Sequence, residues 1–275
     1  MLPIMLQLYN VREELKKDFD GTLEEVARAG YKYVELALAR SFGRTAAQFR
    51  KALDNTGLSA VSAHVPYREM IADQENALNF YNEVGCKYIV VPYLDEGDRS
   101  TSPNYEEVKK GIARIGEAVN NMGATLLYHN HEFEFVTYRG KYALDDLFES
   151  IPARLLQTEI DVCWVKASKV DPAEYILKYT GRSPIVHLKD FDSDAIGMNK
   201  PDYDFIAEID KTRAAGSFPF RAVGYGVQDI PCIIKAAKKA GARWLVVEQD
   251  FPSPGKSSLE CAKDSLDYLK TLSSE

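Results

Sequence analysis

No stretch of this chain stays apolar for the ~18 residues that a membrane span requires. The opening MLPIMLQLYNVREELKKD turns charged too early for a signal peptide. Basic excess is missing too: Lys and Arg number 34 against 41 Asp and Glu, the net charge is −7, and no basic block interrupts the sequence. That balance excludes nucleic acid as a partner, since phosphates demand a positive face. The four cysteines, Cys86, Cys163, Cys232 and Cys261, are widely spaced and form no CxxC pair, which fits reduced thiols and a cytoplasmic setting. Neither a Ser/Gly/Pro linker nor a low-complexity stretch divides the chain, so residues 1–275 are expected to form a single domain. Gly224-Tyr-Gly is too short to be a phosphate cradle. There are only four histidines, His64, His129, His131 and His187, and three of them fall at the ends of apolar runs.

What the chain does contain is a repeat. A helical stretch, a glycine, one or two polar residues and a strand recur in ARAGYKYVELAL, DNTGLSAVSAHV, NEVGCKYIVVPY, NNMGATLLYHNH, KYTGRSPIVHLKD and KAAGARWLVVEQD. Their glycines, Gly30, Gly57, Gly85, Gly123, Gly181 and Gly241, stand where a helix C-terminus needs a left-handed residue. With PIMLQLY and LLQTEID the phrase gives eight strands, ending near Tyr9, Glu35, His64, Pro92, His129, Asp161, His187 and Glu248. Eight such units in 275 residues predict a (β/α)8 TIM barrel. The alternative, an open parallel sheet, would place the same strand ends along a crevice. The helices are amphipathic. Thr22 and Glu25 read as a capping box, Val108, Ile112, Ile115 and Val119 as one buried face, and the span from Asp229 to Ala240 as another helix. The longest connection, between His187 and Trp244, is expected to lie over the site.

Four metal-binding side chains leave four successive apolar runs: His129, Asp161, His187 and Glu248. A polar residue at the exit of a doubly buried strand must be hydrogen-bonded, paired or liganded. Two imidazoles and two carboxylates suit Mn, Co or Zn better than Ca. Strand alternation puts His131 on the face of His129, Glu159 with Asp161, Lys189 with His187 and Asp250 with Glu248. Blander roles compete: His64 capped by backbone, Asp161 as a helix N-cap, Glu35 paired with Arg12 or Arg40, and Trp164 as wall.

At these residues the chain resembles the sugar phosphate isomerase/epimerase superfamily, the xylose isomerase-like TIM barrels. LQLYNVREEL and GYKYVEL are similar to that family's first βαβ unit, YHNHEFEF to its fifth strand, and EIDVCWV, VHLKD and VVEQD to its sixth, seventh and eighth. The resemblance implies one divalent metal, Mn first and Mg, Co or Zn next, held by a Glu, an Asp, a His and a Glu. Asp161, His187 and Glu248 match, and His129 stands in the slot of the first Glu. It further implies a sugar, keto-sugar or polyol substrate. Glu248, His131 and Lys189 are then expected in catalysis, and His64, Glu35, Glu134 and Trp164 around the substrate. With an imidazole in place of one of the paired glutamates, a lyase or dehydratase becomes more plausible than an epimerase. A non-catalytic sugar-binding barrel is the alternative. An endonuclease IV-like phosphodiesterase would need more histidines than four. A homo-oligomer is compatible with all of these readings.

Overall fold

The computed structural model describes residues 1–192 and 218–272. Eight strands, β1 (Ile4–Gln7), β2 (Tyr33–Leu36), β3 (Ser59–His64), β4 (Tyr88–Val91), β5 (Thr125–His129), β6 (Gln157–Asp161), β7 (Ile185–Leu188) and β8 (Trp244–Val247), close into one parallel barrel in which β8 pairs back onto β1. All six glycines of the repeat have positive φ, from 73° at Gly57 to 110° at Gly85. The helix-to-strand corner is therefore built six times with the same residue for the same steric reason.

The interior is layered. Met5, Val61, Tyr88, Val90, Leu127, Ile185 and Val246 form an apolar plug inside the barrel. Two residues further along several strands, alternation brings polar side chains inward: Gln7 after Met5, His129 after Leu127, His187 after Ile185 and Glu248 after Val246. Register fixes who meets whom. Gln7 pairs with Glu35, Glu35 with Ser62, His129 with Glu159, and Asp161 with His187.

Some local expectations are corrected. The helix Phe19–Ala29 starts earlier than a Thr22 cap allows: the Asp18 carboxylate accepts from the Gly21 N–H, and Thr22 lies inside, its hydroxyl donating to the Asp18 carbonyl at 2.5 Å. Asp18 wins because it can cap one turn upstream and bury Phe19. Strand β1 stops at Gln7, and Leu8–Val11 continues as a 3-10 turn capped by the Gln7 side chain.

Of the connection after β7, residues 193–217 lie outside the described residues, and with them most of the expected covering segment. Its two flanks are tied together. Phe191 and Phe220 pair in a two-residue antiparallel ladder, as do Asp190 and Arg221. The Asp190 carboxylate accepts four backbone N–H groups, from Phe191, Gly224, Gly226 and Gln228, at 2.9–3.1 Å. A Cβ at Gly226 would lie 2.2 Å from Asp190 Oδ1, so the approach requires glycine.

Gly116 makes a second close approach. It lies in the helix Tyr105–Asn121, and a Cβ there would stand 2.2 Å from the Leu155 carbonyl oxygen. Ala is favoured over Gly in a helix by about 1 kcal/mol, but here the clash is with backbone and costs more. Gly116→Ala is expected to destabilise the protein by about 1–3 kcal/mol, read as a lower midpoint in urea unfolding. A midpoint equal to or above wild type would show that the strand-side backbone yields freely.

Candidate metal centre and cavity

The sequence places His129, Asp161, His187 and Glu248 at strand ends, and the barrel brings them together. One ligand atom from each lies within 4.8 Å of the others. His187 Nδ1 is 3.0 Å from Glu248 Oε2, and His129 Nε2 is 3.6 Å from Asp161 Oδ2. All four residues are buried. Asp161 also caps the helix Val162–Ala167, the blander role considered for it. Its Oδ1 accepts from the N–H of Cys163 at 2.8 Å and of Trp164 at 3.4 Å. The other oxygen, Oδ2, is buried and accepts no hydrogen bond, and faces the Lys189 ammonium at 3.2 Å as an ion pair. A buried carboxylate oxygen with spare acceptor capacity, amid two imidazoles and a second carboxylate, is the chemistry a divalent ion requires. The residues present therefore fit such an ion.

Lys189 supplies the positive charge nearest to this set. Its Nζ is 2.9 Å from Glu248 Oε2 and 3.2 Å from both Asp161 Oδ2 and Asp250 Oδ1. Burial works to raise the Glu248 carboxyl, but the Lys189 ammonium and the hydrogen bond from His187 hold it well below the usual carboxylate range. Burial has the larger hand at Asp161, pushed up to about 6 against the pull of Lys189.

Glu35 lies beneath the ligand set. It is fully buried and pairs with neither Arg12 nor Arg40. Arg12 donates to the carbonyls of Tyr9 and Asp250, and Arg40 pairs with Glu69 at 2.8 Å. Glu35 instead accepts from Gln7 and Ser62 and faces His187 Nε2 at 2.7 Å and His64 Nε2 at 3.2 Å. His64 is not capped by backbone: its Nε2 stands 2.8 Å from Glu159 Oε2. Burial acts to lower the His64 ring, and the two carboxylates override it to about 10.

Above the ligands opens a cavity of about 350 Å³, lined by Tyr9, His64, Tyr93, His131, Trp164 and Lys189 among others. Its most distinctive wall is His131. The ring lies parallel to Phe133 at 5.3 Å between centroids, stacks on Trp164 at 5.5 Å, and meets Tyr93 edge-on. His131 Nδ1 is buried without a hydrogen-bond partner. Burial, reinforced by the Lys189 cation, holds this imidazole well below its usual range, so it carries a lone pair at neutral pH. Trp164 is both wall and core: it lines the cavity and is 1% exposed.

Glu134 does not line the cavity. It turns under the chain, accepting from the Tyr128 hydroxyl at 2.6 Å and the His131 N–H at 2.7 Å. Glu159 and Asp250, expected inward beside Asp161 and Glu248, are there, and the residues that the sequence did not signal are Gln7 and Ser62, both on Glu35. Alternation signalled the first two, two residues from a named ligand. Nothing local signals the others, whose partners lie on neighbouring strands.

Glu134 gives a pH signature. Burial pushes its carboxyl up to about 8, against the hydrogen bonds from Tyr128 and His131. The unfolded value is about 4.3, so between these pH values the folded chain binds the proton more tightly. The stabilisation is full at the acid end and is lost as pH rises toward 8. Glu134→Gln is expected to flatten the fall of Tm between pH 5 and pH 9. Parallel Tm profiles for variant and wild type would mean that the folded carboxyl is already ionised at pH 5.

Residues 23–272 match the family model described as a xylose isomerase-like TIM barrel. Proteins named inosose dehydratase from Geobacillus kaustophilus and Geobacillus thermodenitrificans are 22% and 24% identical to this chain. The alignments cover 92% of it in both cases, and 87% and 89% of the relatives. Among solved structures, a sugar phosphate isomerase/epimerase from Parabacteroides distasonis superposes with a TM-score of 0.76 at 23% identity, covering 98% of this chain and 94% of that one. At that identity the superposition speaks for the fold. With the family model matched along most of its length and the eight-stranded parallel barrel it describes, the chain belongs to the xylose isomerase-like TIM barrel family.

Proposed function

We propose that this protein is a divalent-metal-dependent dehydratase acting on a keto-sugar or keto-cyclitol. Its likeness to inosose dehydratases over 92% of the chain supports the reaction class. The observation that carries the reading is the His131 imidazole on the wall of the cavity that opens above the ligand set, held there by stacking on Phe133 and Trp164. His129, Asp161, His187 and Glu248 would hold the ion, with Mn the expected occupant. When bound, it supplies a Lewis acid for the substrate carbonyl.

The chain's own residues then divide the work. His131 takes the proton from the carbon beside the carbonyl, and the C–H electron pair forms the new C=C bond. The C–O bond to the neighbouring hydroxyl breaks, and the His131 imidazolium returns its proton to that oxygen, which leaves as water. One base serves both transfers, so hydrogen and hydroxyl depart from the same face. Glu248 is a poor proton acceptor because the Lys189 ammonium stands 2.9 Å from its Oε2 and the same carboxylate would be committed to the ion. An epimerase needs two competent groups on opposite faces of one carbon, and a liganded His129 has its lone pair committed. Lys189 keeps Asp161, Glu248 and Asp250 from repelling one another.

Incubation of the Mn-loaded protein with a keto-cyclitol or a 3-keto-sugar in deuterium oxide, followed by NMR, tests the reaction. Loss of water with formation of an unsaturated ketone is expected. Deuterium at an inverted carbon with no elimination product would make the protein an epimerase, and the absence of both would leave a binding barrel.

Two variants separate the roles. His131→Asn is expected to lower turnover by about 10²–10⁴-fold while metal content stays at the wild-type level. Glu248→Gln is expected to lose metal affinity and turnover together, with far-UV circular dichroism unchanged because the amide is nearly isosteric. Wild-type turnover in His131→Asn would remove it as the base.

A further inference from the structure

Beneath the proposed ligand set lies a second group of facing side chains, His64, His129, Glu159 and His187, with Glu35 alongside. Two members, His129 and His187, belong to both groups, and each turns a different nitrogen to each. His187 Nδ1 faces Glu248 at 3.0 Å, while its Nε2 faces Glu35 Oε1 at 2.7 Å and Glu159 Oε2 at 3.2 Å. His129 Nε2 faces Asp161 at 3.6 Å, while its Nδ1 faces Glu159 Oε2 at 3.2 Å.

A neutral imidazole has one N–H and one lone pair, and which nitrogen carries the proton is set by what the other edge meets. A metal-bound histidine typically donates its remaining N–H to a carboxylate or carbonyl, which fixes both tautomer and ring angle. We propose that Glu159 and Glu35 are positioning residues that perform this for the two histidines of the metal set. Glu159 takes the Nδ1 proton of His129, leaving Nε2 for the ion. Glu35 takes the Nε2 proton of His187, leaving Nδ1. The inference rests on the ligand set proposed above.

Two observations support this division. Glu159 is the register partner of His129, so the carboxylate stands directly beside the imidazole on the neighbouring strand. Glu35 is locked as an acceptor by two donors on the strands flanking it: Gln7 Nε2 at 2.9 Å and Ser62 Oγ at 2.5 Å. Gln7 cannot turn its amide around, because its Oε1 accepts the Tyr9 N–H at 3.1 Å.

The lower group presents three imidazole nitrogens and a carboxylate, and Glu159 Oε1 has no hydrogen-bond partner. Its competing use is as an ion cage of its own. The two uses exclude one another at His129 and His187, since filling both groups would strip each ring of its only proton.

Zinc-loaded protein with 15N-labelled histidine decides between them by long-range 15N–1H spectra. The expected result is His129 ligated through Nε2 with an N–H at Nδ1, and His187 ligated through Nδ1 with an N–H at Nε2. Ligation through the opposite nitrogens would put the ion in the lower cage and overturn the proposal, whatever any variant does. Zinc affinity by calorimetry supplies a second readout. Glu159→Leu, which removes the acceptor, is expected to weaken binding by about 10–100-fold, and Glu159→Gln, whose amide oxygen can still accept, to restore part of it. Wild-type affinity in a folded Glu159→Leu would overturn the proposal. Failure of the ligand set itself shows differently: Asp161→Asn would then bind zinc as wild type does, and both readings would fall.

Discussion

Negative charge buried in a barrel has to be balanced from inside the barrel. Glu35, Glu159, Asp161, Glu248 and Asp250 are all buried at one end, and among the described residues Lys189 is the ammonium that reaches three of them. An uncompensated carboxylate in low dielectric costs several kcal/mol, so such a cluster persists only when each member is paired, hydrogen-bonded or liganded. The imidazoles meet that demand by standing between carboxylates: His187 between Glu35 and Glu248, His64 between Glu35 and Glu159, His129 between Glu159 and Asp161. The layer is therefore an alternation of acids and bases, laid over the apolar plug beneath it.

Much of this was legible in the sequence because a parallel barrel repeats one grammar. Six glycines and eight apolar runs located the strands, and a polar residue ending a doubly buried strand marked the open end. The period of two then predicted that Glu159 shares a face with Asp161 and Lys189 with His187. What stayed hidden depends on closure. Glu35 was open to pairing with an arginine, since nothing in a linear sequence says that Gln7 and Ser62 flank it in register and that His187 faces it across the barrel. Glu134 was expected around the substrate on the strength of the family resemblance. A 3-10 turn at Glu132–Phe135 instead folds it beneath, where Tyr128 holds it. Thr22 was displaced as a cap by Asp18 through competition between two good caps one turn apart, which no spacing rule resolves.

Asp161 shows how one side chain serves fold and site together. Its Oδ1 fixes the start of the helix Val162–Ala167 and thereby fixes the rotamer that aims Oδ2 at the ligand cluster. That helix also carries Trp164, against which His131 stacks. The placement of the ring proposed as a base is thus tied, through one turn of helix, to a carboxylate proposed as a ligand.

The carboxylate of Asp190, holding four backbone N–H groups from both flanks of the β7 connection, works as a seam. It ties Phe191, at the end of one flank, to Gly224, Gly226 and Gln228 on the other. The register of β7 and β8 is held on the barrel side of that joint, by their own ladder from Ile185 opposite Trp244 to Leu188 opposite Val247. What such a joint fixes is the geometry of the flanks, set by one carboxylate rather than by a strand or a helix.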